Sequence, residues 1–311
     1  MLIVNEKQGR FANRLISFSF FIANSIDHNY TLIYPYFAEY KSFFEATDSN
    51  IFVLKNKVSL RIAGFSPLNY VLYFLNLVVI KIIFKYVRKT VEIKNTWFWY
   101  FYNPNQFTIS VILDMKSPEL RDMQDPEFIH YAKNKLILQG SWINRDRAGV
   151  TKYHEEITRI FTPKKMYQDT IDAIIYNAKQ EADCVVGVHI RRGDFKQFAG
   201  GRWFFEDAIY CEKLKSIETQ LQQNNKTVKF ILCSAENIDL SNFKGLNIDF
   251  EFRLHIVDMY LLAKCDYILS PGGTTFAMWA SYYGKIPLKQ LEYADDTVNL
   301  NSDFEIRESL M

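Results

Sequence analysis

The run Val185–Asp194, VVGVHIRRGD, constrains this chain more than any other segment. Val185, Val186, Val188 and Ile190 are β-branched and close together, the composition of a strand buried in a parallel sheet. Such a strand has no room for guanidinium groups, so Arg191 and Arg192 should emerge at its C-terminal end. In open α/β sheets that end is where ligands bind. Two adjacent arginines present planar forks of N–H donors suited to paired phosphate oxygens, which points to a diphosphate. An exposed ion-pair cluster with Asp194 fits the same residues, and on these residues alone both readings stay open.

At 311 residues the chain exceeds one ordinary core, so two domains are expected. Hydrophobic content of 49% and charged content of 23% describe a globular protein. A net charge of +2 gives no footprint for nucleic acid, and no nucleic-acid partner is expected. Cys184, Cys211, Cys233 and Cys265 are widely spaced, without a CxxC pair or a histidine at ligand spacing, so they read as reduced and zinc is not expected. The start MLIVNEKQGR is charged too soon for a signal peptide, and a cytoplasmic location is expected.

The chain opens strand–turn–helix–strand: Leu2–Val4, a turn through Gly9, a helix over Phe11–Asp27 and a strand over Thr31–Tyr34. Residues 65–89 form an uncharged run with helical spacing that ends in Lys81, Lys85, Arg88 and Lys89. It is interrupted too early to span a bilayer. It reads as an amphipathic helix that either covers a core or lies on an anionic membrane surface, and peripheral membrane contact is carried forward as an expectation. A strand over Lys135–Leu138 leads to a helix over Thr151–Ile160, which Pro163 ends. The second half alternates: strands Cys184–Ile190, Val228–Cys233, Asp266–Ser270 and Ile286–Leu291, with helices Phe205–Gln223, Ile256–Lys264 and Thr275–Tyr283 between them. That order predicts a parallel sheet of nucleotide-binding type.

Ser270–Phe276, SPGGTTF, joins a strand to a helix, so its amides sit at a helix N-terminus where an anion is favoured. Glycine permits close approach, and Thr274 and Thr275 add hydroxyl donors. A plain turn with a threonine N-cap is the alternative. Asp258 could accept from the N1–H and amino group of guanine, or it could be an acidic residue in a helix's first turn. Gly9–Arg14 lacks the glycine spacing of a dinucleotide fingerprint, and its basic residues read first as surface charge.

His189-x-Arg191-Arg192-x-Asp194 resembles the HxRRxD signature of glycosyltransferase family 11, the α-1,2-fucosyltransferases, shared with α-1,6- and protein O-fucosyltransferases. GRFANRL resembles the family's GxGNQL, with Asn13 at the matching asparagine. LQGSWINRD, the FFEDA of Phe204–Ala208 and the stretch from Asp258 to Ala280 resemble further motifs in order. The resemblance implies an α/β, GT-B-like fold of two Rossmann-type domains with parallel sheets facing a central crevice. With the domain boundary placed near Pro163, where the helix ends, it implies an acceptor-side domain over 1–163 and a GDP-sugar-binding domain over 164–311. It implies that Arg191 and Arg192 hold the diphosphate, that Thr274, Thr275 and Phe276 add phosphate contacts, that His189 and Asp258 read guanine, and that Asn13 also binds the donor.

It also implies inversion at the sugar carbon without an essential metal. The cations and the helix N-terminus could themselves neutralise the leaving diphosphate. No cofactor is therefore expected beyond the donor substrate, GDP-fucose. The nearest thing to an acidic metal pair is Asp295-Asp296, in a polar C-terminal stretch.

Ala12 and Arg14 depart from the N-terminal motif, and Ala199, Gly200 and Gly201 stand where α-1,6 members carry a glutamate. Arg191 and Asp194 are the candidate catalytic residues, Asp194 as general base or as the group that orients the arginines. The expected acceptor is a glycan, lipid-linked or free, at the inner face of a membrane. A transferase using another nucleotide sugar and a non-catalytic nucleotide- or glycan-binding module remain the competing readings.

Overall fold

The computed structural model describes residues 2–4, 9–34, 37, 39–47, 53–55, 59–60, 99–103, 108–112, 121–133, 136–138 and 144–310. The run at 65–89, for which the sequence predicts a helix, and the centre of LQGSWINRD lie outside them. The chain divides into two compact units, Met1–Thr162 and Pro163–Met311.

In the first unit, β1 (Leu2–Val4) pairs in parallel with β2 (Leu32–Ile33). The antiparallel strands β3 (Val53–Lys55) and β4 (Ser59–Leu60) extend one side. On the other side, β5 (Trp99–Asn103) and β6 (Thr108–Ile112) form an antiparallel pair. A short parallel pair, β7 (Arg121–Asp122) and β9 (Asn144–Arg145), flanks β8 (Leu136–Leu138) in sequence. β8 pairs in parallel with β1 and antiparallel with β5, so the sheet has a parallel centre and antiparallel margins. The marginal strands were not visible as elements in the sequence.

The Phe11–His28 helix is buried on nearly every face, which fits its near-continuous apolar sequence. Phe18 packs edge-on against Tyr34 and Phe161. The expected helix over Thr151–Ile160 is two helices, Arg147–Lys152 and His154–Ile160, broken at Tyr153. It starts early because the Asp146 carboxylate accepts the Gly149 amide at 2.8 Å.

The second unit is built on a five-stranded parallel sheet in the order β12–β11–β10–β13–β14. The strands are β10 (Cys184–His189), β11 (Val228–Cys233), β12 (Ile248–Asp249), β13 (Tyr267–Pro271) and β14 (Leu288–Leu291). β10 is wholly buried and pairs with β11 through Cys184–His189 and with β13 through Val186–Val188. On one face Val186, Val188 and Ile190 join Tyr210, Leu214 and Ile217 of the Asp207–Gln222 helix in a single core. On the other, Gly187 leaves room for Leu262 and Cys265; a Cβ there would lie 2.6 Å from Leu262 Cδ2.

Read in chain order, the sheet runs third, second, first, fourth, fifth. Its direction therefore reverses between β10 and β13. Connections leave these two strands on opposite sides, which opens the space beyond their C-terminal ends for a ligand. The second unit has the parallel α/β architecture expected, whereas the first unit's sheet, expected to be parallel, is mixed. The helix Lys165–Glu181 and the two-residue β12 were not foreseen.

Gly284, at the end of the Thr275–Gly284 helix, abuts the main chain of Ala263: a Cβ would fall 2.0 Å from the Ala263 carbonyl oxygen. Gly284→Ala should therefore cost roughly 1–3 kcal/mol through overpacking. Urea unfolding checks this, and an unchanged midpoint would contradict the close approach.

Candidate active site

The Arg191–Asp194 and Gly272–Phe276 segments follow β10 and β13, the two strands that flank the reversal in sheet order. His189, the last residue of β10, joins them. Thr274 Oγ1 lies 3.1 Å from His189 Nδ1. The Phe276 ring stacks on the imidazole with centroids 4.7 Å apart and planes at 26°. His189 is buried, and burial, with the Arg191 charge second, pushes its pKa down to about 3. It is therefore a neutral imidazole that ties two loops together.

Thr274 occupies the N-cap of the Thr275–Gly284 helix, yet its side chain makes no capping bond. Its hydroxyl is turned to His189 instead. The threonine that could have been an ordinary cap thus serves the loop junction. It leaves the helix N-terminus without a side-chain acceptor from the cap residue, a setting that favours an external anion.

Both arginines are ion-paired. Arg191 Nη2 donates to Asp194 Oδ1 at 2.7 Å, and its guanidinium lies 5.4 Å from the Phe195 ring centre. Arg192 is bound to Asp207 through Nη2, while its buried Nε has no hydrogen-bond partner. Asp207 also accepts from Asn242 Nδ2 at 3.0 Å. Asp207 is the site residue that motif reading missed as a partner, although it stands inside the FFEDA segment. The structure brings His189, Arg191, Asp194, Thr274 and Phe276 to one end of the sheet, and Thr275 follows as the first residue of the helix.

Asp258 lies in the first turn of the His255–Leu262 helix and is buried. The Cys233 thiol, at the end of β11 and in register with His189, is 3.7 Å from the Asp258 carbonyl oxygen. This contact places Asp258 at the same sheet end. Its Oδ1 has no hydrogen-bond partner. Burial pushes its pKa up to about 7, with Arg253 and Cys233 pulling the other way. The buried Oδ1 is thus an acceptor oxygen without a donor.

The N-terminal motif is arranged differently from the surface-charge reading. Arg14 is buried, paired with Glu39 at 2.9 Å and set over the Tyr40 ring at 4.9 Å. Burial with a carboxylate partner and an aromatic face makes it a structural cation. Asn13 packs against the Gly9 turn, where a Cβ would meet its Nδ2 at 2.2 Å. Asp296 accepts the amides of Glu292 and Tyr293 at 2.6 and 3.2 Å, which makes it a turn-forming carboxylate. Among the described residues no group of three acidic, histidine or cysteine side chains could hold a metal ion. No helix among them is long and apolar enough to cross a membrane.

Folded Asp258 keeps its proton up to about pH 7 but would release it near 3.8 when unfolded. Its contribution to stability is therefore full at low pH and lost as pH rises through about 7. His189 has the opposite sign: its contribution is full above 6.5 and is lost as pH falls toward about 3. Asp258→Asn should remove the first trend alone. Relative to wild type, the variant should gain stability, on the order of a few kcal/mol, as pH rises from about 4 to about 7. Urea titrations across that range check it, and a pH-independent difference would contradict a buried, protonated Asp258.

No curated protein sequence matches the chain. Among solved structures, POFUT1 in its apo form aligns with a TM-score of 0.50 at 11% identity, over 92% of this chain and 94% of that one. This likeness is one of fold. NodZ alpha-1,6-fucosyltransferase soaked with GDP-fucose aligns at 0.47 and 15% identity, covering 94% of each chain. A variant of Arabidopsis thaliana FUT1 in complex with GDP aligns at 0.49 and 12% identity, over 98% of this chain and 73% of that one. The sequence profile of Glycosyl transferase family 11 matches residues 148–286, the stretch that carries the arginine pair, Asp258 and the glycine turn.

Proposed function

We propose that the chain is an inverting, metal-independent fucosyltransferase that moves fucose from GDP-fucose to a glycan hydroxyl in α-1,2 linkage. The observation that carries the reading is the convergence of Arg191, Thr274, Phe276 and the helix N-terminus on His189, beside the reversal in strand order. The family match over 148–286 supports transfer of a sugar. The resemblance of the HxRRxD motif supports fucose as that sugar.

In this reading the diphosphate lies against the helix N-terminus and the guanidinium groups of Arg191 and Arg192. Asp258 accepts from guanine. The acceptor hydroxyl oxygen attacks the anomeric carbon as the bond to the diphosphate breaks, its proton passes to solvent, and charge accumulating on the departing GDP is met by fixed cations and amides. The bond from Arg191 suits Asp194 to orienting that arginine better than to taking the acceptor's proton. The unit before Pro163 would receive the acceptor, with Asn13 on the donor side, and the unit after it would hold the donor. An acceptor glycan on a lipid carrier, a cytoplasmic setting at the inner membrane face and peripheral contact through residues 65–89 complete the proposal.

Calorimetric titration should show GDP binding and UDP binding poorly, and Asp258→Ala should erode the difference; equal affinities in the wild type would contradict the guanine assignment. Arg191→Ala should lower kcat/KM by roughly 2–4 kcal/mol of transition-state stabilisation while leaving the fold intact. A near-normal rate would reduce the motif to an ion-pair cluster. Asp258 must also ionise to accept from guanine. Affinity for GDP-fucose should therefore rise about tenfold from pH 6 to pH 8, and the rise should vanish in Asp258→Asn. A flat wild-type profile would separate Asp258 from the base.

A further inference from the structure

The pair Gly272-Gly273 is shaped to a tryptophan. A Cβ on Gly272 would lie 2.3 Å from Trp203 Nε1 and 2.8 Å from Glu292 Oε1. One on Gly273 would lie 2.6 Å from Trp203 Cζ3. Only Gly273 has a positive φ, 64°, so backbone conformation explains one glycine and the indole explains both. Trp203 Nε1 donates to Glu292 Oε2 at 2.9 Å, just past β14. Arg202 reaches the same oxygen at 3.1 Å, with its guanidinium 5.4 Å from the indole ring centre.

The indole is also the end of a line of rings. Phe198 lies 5.7 Å from it, Phe195 stacks on Phe198 at 5.3 Å, and Arg191 sits over Phe195 at 5.4 Å. The loop after β10 is thereby packed onto the turn after β13. It acts alongside the contacts that His189, at the end of β10, makes with Thr274 and Phe276.

We propose that Trp203 is a positioning residue that clasps the Gly272-Gly273 turn and sets Arg191 at a fixed distance from the Thr274–Phe276 amides, so that the two act together on a diphosphate. The inference rests on the GDP-sugar reading above. Its physical content is preorganisation: two loops held in register before binding lose less freedom when a diphosphate bridges them. Guanosine, which lacks the phosphates, needs no such register.

The test measures GDP and guanosine binding to wild type, Trp203→Ala, Trp203→Phe, Gly272→Ala and the Trp203→Ala/Gly272→Ala double variant, each checked for folding by circular dichroism. Trp203→Ala should weaken GDP at least about tenfold while guanosine stays within about twofold. Trp203→Phe, which returns a ring to the glycine cradle, should recover most of the loss. Gly272→Ala should weaken GDP in the wild-type background and add little once the indole is gone, a coupling expected of residues in contact. Unchanged GDP affinity in Trp203→Ala, or an equal loss for guanosine, would overturn the clasp. Failure of wild type to bind GDP at all would instead remove the underlying reading, and the clasp with it.

Discussion

The contact on which the rest of the site depends is the one His189 makes with Thr274 and Phe276. It is a hydrogen bond of 3.1 Å and a ring stack, and it spans the point where the order of the strands reverses. It joins the segments after β10 and β13, as the packing of Trp203 on Gly272 and Gly273 also does. The cations of one and the helix N-terminus of the other thus lie at the same end of the sheet. Burial keeps the imidazole neutral, so the junction adds no positive charge of its own. That leaves the arginines as the dominant charges at the site.

Those arginines are not idle donors awaiting phosphate. Each is held by a carboxylate, Arg191 by Asp194 and Arg192 by Asp207. A guanidinium has more donors than one carboxylate oxygen occupies, so pairing orients the group and leaves N–H groups to serve a second anion. Asp258 presents the complementary case, an acceptor oxygen buried without a donor. Unpartnered buried polar atoms cost stability, and they concentrate where a ligand supplies the missing partner.

Much of this was readable in the residues, and the reasons are physical. The β-branched run ending in His189 predicted a central strand because such a strand tolerates no polar interruption. The alternation after it predicted the parallel sheet, and the helix Thr275–Gly284 fell within one residue of its expected end. The roles of Arg14 and Thr274 were hidden because each depends on a tertiary partner, Glu39 in one case and His189 in the other. A local reading sees a basic residue near a turn and a threonine before a helix, and both have ordinary local explanations. Trp203 was invisible for the same reason, since its partners lie about seventy residues on, in a different turn. The short margin strands of the first unit carry too few residues for a periodicity to register.

The most direct test of the central claim is a crystal structure of the protein with GDP. The account predicts the diphosphate against the amides of Thr275 and Phe276, with Arg191 and Arg192 within hydrogen-bond distance of its oxygens and the guanine edge on the Asp258 carboxylate. A nucleotide bound elsewhere, or one bound there with both arginines held to Asp194 and Asp207 and turned away from the phosphates, would contradict it.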